Sequence, residues 1–322
     1  NVVSIVDPLF SLPLALAVAY GMNTLFNRPA LLDAVNVALV QPNIPQAAKW
    51  DAAQSQTVLD RLEELTSAAA RLDGVDLVVW PETALPDFVR ITRSNRELVE
   101  RLARQGAPLL VGSMDVVFSE TGATYYNSSI LFGTNGAEIA KYDKQHLVPF
   151  GEYVPFPGLM RKFTPIEVDF GAGRESTLLS LPGRAPFSVL ICFEDTVAPL
   201  SIEAVRAGAR WLVNQTNDAW FDPSAQSEQH LAHAVFRCVE NRVPMARCCN
   251  TGVSCLIDAY GNVERHLDVR TKGFTVGELH PRPIGLEKTF YTRNGNAFGK
   301  VALLAAATVV FVLRSSGWKK RK

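Results

Sequence analysis

Apolar positions along the chain follow two spacings, and the switches between them mark out elements. Continuous apolar runs in "NVALVQPNI" (36–44), "DLVVWPE" (76–82) and "APLLVGS" (107–113) read as buried strands. Between them, "WDAAQSQTVLDRLEELTSAAARL" (50–72) repeats apolar residues at helical spacing through Val58, Leu59, Leu62 and Leu65, with Asp51 placed to cap it. A polar helix is predicted near 93–105. Next, "YYNSSILF" (125–132) and "AEIAKYD" (137–143) flank "GTNG", a hairpin signal. After an irregular Pro- and Gly-rich stretch (149–174), "FSVLICFE" and "WLVNQTND" (211–218) again read as strands, separated by a short helix near 199–207. A longer helix from about Gln226 to Glu240 leads into "PMARCCNTG" and the hairpin "VSCLIDAYGNVERHL". No internal repeat or low-complexity segment interrupts this order. It predicts an α/β domain whose strands are covered on both faces.

The two ends break the pattern. Leu9 to Asn27 carries no charge and approaches the roughly 20 residues a helix needs to cross a bilayer, with Pro13 tolerated as a kink. Near the other end, Val301 to Leu313 is shorter, but Lys300 can snorkel and extend it toward Phe298. "RSSGWKKRK" follows, a basic cluster with Trp318 that favours a cytoplasmic terminus and so puts the region between the two segments on the outer side. The competing expectation is a pair of buried core helices. Because the chain opens on Asn1, a fragment or processed product with further spans upstream is expected. Three regions result: a membrane segment closing a larger bundle (1–30), a catalytic domain (31–296), and a membrane helix with a basic tail (297–322).

Composition narrows the partners. The 322 residues are 48% hydrophobic, and 32 basic side chains balance 32 acidic ones, which argues against a nucleic-acid surface or a disordered tail.

Active residues of α/β sheets gather where strands end. Glu82 in "VVWPETALP", Lys144 in "KYDKQHLVPFGE" and Cys192 in "VLICFED" all follow buried strands or a hairpin. Singly each is weak: a lone cysteine after Val-Leu-Ile is ordinarily a small buried hydrophobe, and glutamate or lysine in a turn is ordinarily surface charge. Together they are chemically sufficient. A carboxylate can take the thiol proton, and an ammonium can stabilise the oxyanion of a tetrahedral intermediate, so acyl transfer through a thioester follows. The remaining cysteines, Cys238, Cys248, Cys249 and Cys255, lack metal-ligand spacing and are expected as buried thiols. His230 and His233 are three apart on a helix with no evident carboxylate partner, so no metal is predicted.

In that order and setting, Glu82, Lys144 and Cys192 resemble the carbon–nitrogen hydrolase (nitrilase) superfamily. More narrowly, "VQPNIPQAAKW", "WPETALP", "YNSSILF", "YDKQHLVPFGEYVP", "ICFED", "NDAWF" and "TFYTRNG" resemble its apolipoprotein N-acyltransferase family across most of 35–295. The resemblance implies a four-layer α-β-β-α sandwich, flanked by transmembrane helices and facing the periplasm from a bacterial inner membrane. It further implies a monomer without cofactor, a phospholipid acyl donor and a diacylated apolipoprotein acceptor. By motif, Glu82 matches the general base, Lys144 the oxyanion-stabilising lysine, Cys192 the nucleophile, and Glu152 a supporting glutamate. Trp50, Phe193 and Glu194 match substrate-binding positions. Phe193 stands where the family often has tyrosine. Asp195 is expected to complement a helix dipole, and the apolar loop at 150–173 to form an acyl-chain entrance, with Arg161 and Lys162 near lipid phosphate. Two other functions compete: hydrolysis of a small amide with water as acceptor, and a non-catalytic membrane-anchored binding module.

Overall fold

The computed structural model describes residues 3–30, 34–49, 51–120, 122–164, 168–220 and 224–319. The first half runs α1 (Val3–Phe26), β1 (Val35–Gln41), α2 (Gln46–Lys49), α3 (Ser55–Ala70), β2 (Leu77–Val79), α4 (Arg93–Ala103), β3 (Leu109–Ser119), β4 (Gly122–Phe132) and β5 (Glu138–Asp143). The second half runs α5 (Pro157–Met160), β6 (Phe187–Ile191), α6 (Ala198–Ala207), β7 (Trp211–Thr216), α7 (Gln226–Asn241) and β8 (Met245–Cys249). It closes with β9 (Ser254–Ile257), β10 (Val263–Leu267), β11 (Gly273–Leu279), α8 (Phe290–Asn294) and α9 (Ala297–Lys319).

Two sheets form, in the strand orders β11-β1-β2-β3-β4-β5 and β10-β9-β8-β7-β6. In the first, β1, β2 and β3 are parallel, and the β3–β4–β5 meander and β11 pair antiparallel. In the second, β6, β7 and β8 are parallel. Strand alternation divides the side chains between three apolar cores. Val189 and Ile191 of β6 point into the layer between the sheets, with Val37 and Leu39 of β1, while Leu190 points the other way. Helices α3 and α4 close the outer face of the first sheet through Leu62, Leu65, Val99 and Leu102; α6 and α7 close the second through Val205, Ala234 and Cys238. The result is the expected four layers, each held by burial of apolar area.

Parallel strands bring their C-terminal ends to one edge, and there lie the loops carrying Glu82 and Cys192. Two close approaches hold the edge together. A Cβ at Gly112 would lie 2.1 Å from the Pro81 carbonyl oxygen, and one at Gly173 would lie 2.1 Å from that of Asp143. Only glycine lets β3 and the 171–174 segment pack against the residues just before Glu82 and Lys144.

Two features stand apart from the sequence reading. Strand β11 was not anticipated: "GFTVGEL" lacks a clean two-residue alternation, yet it pairs along the whole of β1. The ends do form helices of 24 and 23 residues, but among the described residues no helix is long and apolar enough to cross a membrane. The uncharged run of α9 is only Val301–Leu313, with Thr308 inside it, and Asn23, Thr24 and Asn27 dilute the end of the first segment. Many of their side chains are nonetheless exposed and apolar, including Leu14, Leu16, Leu303 and Phe311.

Candidate active site

Strand β6 ends at Ile191 and the chain turns at once into a 3-10 segment, Cys192–Thr196. Cys192 makes that turn with φ 53°, a left-handed conformation that costs a non-glycine residue roughly 1–2 kcal/mol. Surrounding bonds hold the strain. Asn214 Nδ2 donates to the carbonyls of Leu190 (3.2 Å) and Cys192 (3.1 Å). Glu194 accepts from Ile191 N (2.7 Å), Tyr142 Oη (2.9 Å), Gln145 N (2.7 Å) and His146 N (3.0 Å).

The glutamate therefore ties the cysteine turn to the segment that follows Lys144. Its carboxylate is fully buried and both oxygens accept protein donors, at a residue where the sequence leads one to expect a substrate contact. Burial pushes its carboxyl above the usual range, although the three backbone donors and Lys144 pull the other way.

Glu82, Lys144 and Glu152 converge beside this turn. Lys144 Nζ lies 2.9 Å from Glu152 Oε1 and 3.5 Å from Glu82 Oε1. Asn127 Nδ2 bridges the same two oxygens at 3.0 and 2.8 Å, and Val148 N donates to Glu152 Oε2 (2.9 Å). Burial alone would lower the Lys144 ammonium, but the carboxylate charges of Glu82 and Glu152 outweigh it and hold it above its ordinary value. Burial and then the Glu82 charge push the Cys192 thiol well up, while Lys144 and Thr216 pull it back. The resting thiol is neutral, and a base is needed at the moment of attack.

Lys49, which sequence reasoning passed over, packs behind Glu82. Its Nζ donates to the Glu82 carbonyl (3.0 Å) and Thr83 Oγ1 (2.6 Å), where Thr83 has φ 41°. Burial lowers this ammonium to about 8, against the opposing charges of Glu82 and Cys192. A signal was present in "AAKW", where Lys49 precedes the expected substrate contact. Trp50 itself lies outside the described residues.

On the far side of Cys192, a second ionic cluster is sealed from solvent. His230 bonds Asp218 through Nδ1 and Asp195 through Nε2, both at 2.9 Å. Arg247 pairs with Asp195 Oδ2 (2.7 Å) and Asp218 Oδ2 (3.3 Å) and donates to Asn214 Oδ1 (2.7 Å). Half-buried Phe193 stacks on the His230 ring, 4.8 Å between centroids at 15°. The carboxylate partners that His230 lacked in sequence are thus 35 and 12 positions away, and Asp195 serves an ion pair, not a helix dipole. All five cysteines are free and buried. Among the described residues no group of His, Cys, Asp and Glu is arranged to hold a metal ion.

The loop after Lys144 divides. Val154 is buried, whereas Phe156, Leu159 and Phe163 are exposed, and Arg161 pairs with Asp169 at 2.6 Å. The arrangement as a whole, a buried thiol beside a carboxylate and an ammonium, is equipped for nucleophilic acyl chemistry.

The family model described as carbon–nitrogen hydrolase matches residues 36–285. A Geobacter metallireducens protein named apolipoprotein N-acyltransferase is 36% identical over 300 residues, covering 92% of this chain and 57% of that protein. Proteins of the same name from Brucella melitensis (36%, covering 84% and 53%) and Rhodopseudomonas palustris (32%, covering 93% and 57%) are similar. The chain thus spans a little over half the length of the curated relatives it matches. Among solved structures, Nit3 of Saccharomyces cerevisiae, a member of branch 10 of the nitrilase superfamily, aligns with TM-score 0.60 at 21% identity, covering 78% of this chain and 92% of that one. An amidase from Nesterenkonia sp., carrying an acetamide moiety on its active-site cysteine, aligns with TM-score 0.57 at 20% identity, covering 78% and 94%. At such identities these two likenesses speak to the fold.

Proposed function

The chain belongs to the carbon–nitrogen hydrolase family, and from that premise we propose that it is the catalytic part of an apolipoprotein N-acyltransferase with Cys192 as nucleophile, Glu82 as base and Lys144 as oxyanion stabiliser. The observation that carries the reading is the meeting of this buried thiol, carboxylate and ammonium at one edge of the two sheets. The names of the relatives support acyl transfer to an amine over hydrolysis.

In the first half-reaction Glu82 takes the Cys192 proton as the sulfur attacks the ester carbonyl of a phospholipid. Lys144 faces the developing oxyanion in a site where water does not screen it. Collapse breaks the ester C–O bond, Glu82 returns the proton to the departing lysophospholipid alcohol, and a thioester remains. In the second half-reaction the α-amine of a diacylglyceryl cysteine attacks that thioester. Glu82 accepts the amine proton, the C–S bond breaks, and the proton passes back to sulfur. Glu152 holds Lys144 in place, and Phe193 and Trp50 contribute to substrate binding.

The same reading sets the domain (31–296) on the periplasmic side of a bacterial inner membrane as a monomer, with 1–30 and 297–322 as its membrane segments. Exposed apolar side chains on α1 and α9 support it, as do Phe156, Leu159 and Phe163 of the 150–173 loop, a surface too apolar to leave in water. The test is to supply the full-length parent with phospholipid and a diacylated lipopeptide. A fatty acyl adduct on Cys192 and a triacylated product support the proposal. Equal turnover of a water-soluble short-chain amide would replace it with an amidase.

A further inference from the structure

At the opposite edge of the second sheet lies a cavity of about 560 Å³. It opens between the C-terminal part of α1, the turn joining β9 to β10, and the segment 280–293. Arg242 begins the link into β8 and Arg210 precedes β7, so this edge holds the N-terminal ends of the parallel strands. Cys192 lies a strand length away, roughly 16 Å for five residues.

The walls carry more positive charge than they neutralise. Arg242, Arg282, Lys288 and Arg293 face the cavity, with Glu287 as the one carboxylate among its lining residues. Glu287 pairs with Arg293 at 3.5 Å, and Lys288 donates to the carbonyl of Arg206. Arg282 is only 8% exposed, and its Nε has no hydrogen-bond partner. The neighbouring Arg210 has an unpartnered Nη2 as well. Burial and then the Arg210 charge push the Arg282 guanidinium down. Arg282 Nη2 donates to the carbonyl of Leu286 and Arg210 Nε to that of Arg282, so each guanidinium meets a neutral backbone acceptor and keeps a positive charge that an anion in the cavity would offset.

Arg242 adds a second, independent sign. It stands at the C-terminal end of α7 with φ 53° and ψ 47°, the left-handed position where helices ordinarily use glycine. There its guanidinium lies 5.3 Å from the Tyr260 ring centre, at the mouth of the cavity. Keeping an arginine at a backbone position that glycine would fill without strain calls for a role of the side chain. The rim is apolar: Phe290 is 61% exposed, and Leu286 lines the same wall.

We propose that this cavity binds the phosphate of an anionic phospholipid headgroup, remote from the thiol, and so seats the domain against the foot of α1. The cations supply the phosphate site and the apolar rim meets the glycerol and upper acyl chains. A free anion would need the first of these and leave the second without a purpose. This site does not depend on the acyl-transfer reading, because no part of it touches Glu82, Lys144 or Cys192.

The test is flotation of the full chain with phosphatidylcholine vesicles, with and without phosphatidylglycerol, at fixed ionic strength. Arg242→Gly combined with Arg293→Gln should lower the preference for anionic vesicles by roughly fivefold for each cation removed, leaving neutral vesicles bound as before. Arg242→Gly relieves the left-handed strain, so its melting temperature should not fall, and a binding loss cannot be ascribed to unfolding. The basic tail is common to both proteins and cancels. Acylation of Cys192 should be unchanged. An unaltered preference for anionic vesicles overturns the site. Displacement of the vesicles by inorganic phosphate at matched ionic strength overturns the lipid and leaves a free-phosphate site.

Discussion

Two buried ionic clusters flank Cys192, and they are built on opposite terms. In the sealed cluster, Asp195, Asp218 and His230 spend every side-chain oxygen and ring nitrogen on one another, Arg247 and Thr216. In the other, Glu82 uses Oε1 for Asn127 and Lys144, and its Oε2 accepts no bond among the described residues. Buried carboxylates with both oxygens committed to neighbours are architecture, while a buried carboxylate with a lone pair in hand is suited to chemistry. The first cluster holds the strained turn, and in the proposed reaction the second works on what the turn presents.

The sharpest break between them removes the atom they share. Cys192→Ala should abolish acyl adduct and product, a loss on the order of 10⁶ by comparison with other nucleophile deletions. The fold should survive, at a packing cost of about 1–2 kcal/mol. Intact mass and a thermal melt on the same sample read both. An adduct that persists contradicts the nucleophile.

Arg247→Leu attacks the sealed cluster alone. It leaves Asp195 and Asp218 facing each other around His230 and should destabilise the domain by about 3–5 kcal/mol, measured by urea unfolding. A loss under 1 kcal/mol would show that the cluster is not what holds the turn.

Lys144→Met addresses the reacting cluster, and the expected loss is roughly 10²–10³ in kcat, read on folded protein because the change also leaves buried Glu82 and Glu152 without their cation. Glu82→Gln should slow both half-reactions. If either variant turns over near the parent rate, its role is wrong.

How much of this contrast was legible beforehand depends on sequence distance. Glu82, Lys144 and Cys192 each end an apolar run or hairpin, so pattern and chemistry point to them locally. The layers were legible because β-strand and helical spacings alternate cleanly through the domain. Lys49, Asn127, His230 and Arg247 were not, since the atoms they bond sit 33, 45, 35 and 52 positions away. Only the His230–Asp218 bond, 12 positions apart, falls within a short window. Glu194 shows the complementary failure: its motif singled out the residue, but only burial reveals that its oxygens face four protein donors. Strand β11 escaped because its side chains sit half-buried along β1, without the in-and-out contrast that marks a strand.

Stability against pH separates the clusters by sign. Burial and Arg247 pull the His230 imidazole down, Asp195 and Asp218 more than offset them, and it settles at about 9. Raised above its unfolded value, it contributes stability that is complete below about pH 6.5 and lost as pH rises through 9, on the order of 2–3 kcal/mol. Urea unfolding from pH 6 to 10 should show that loss, and His230→Gln should flatten it. A parent curve already flat would place His230 outside the ion-pair network.

Lys49 should do the reverse, and its effect on rate is the smallest of the set. Its ammonium is depressed to about 8 by burial, so the folded state binds fewer protons than the unfolded one between that pH and about 10.4. Its contribution to stability therefore rises with pH across that window. The charge it loses there is the one that sits behind Glu82 and fixes the Glu82–Thr83 turn. Without it, the carboxylate is held less firmly for the thiol proton, so kcat/KM should fall threefold to tenfold on the alkaline side, about 1 kcal/mol of barrier. The inflection near pH 8 should vanish in Lys49→Met and move upward in Lys49→Arg, which stays charged. A parent profile with no inflection there, or one that both variants leave in place, would assign Lys49 to packing alone.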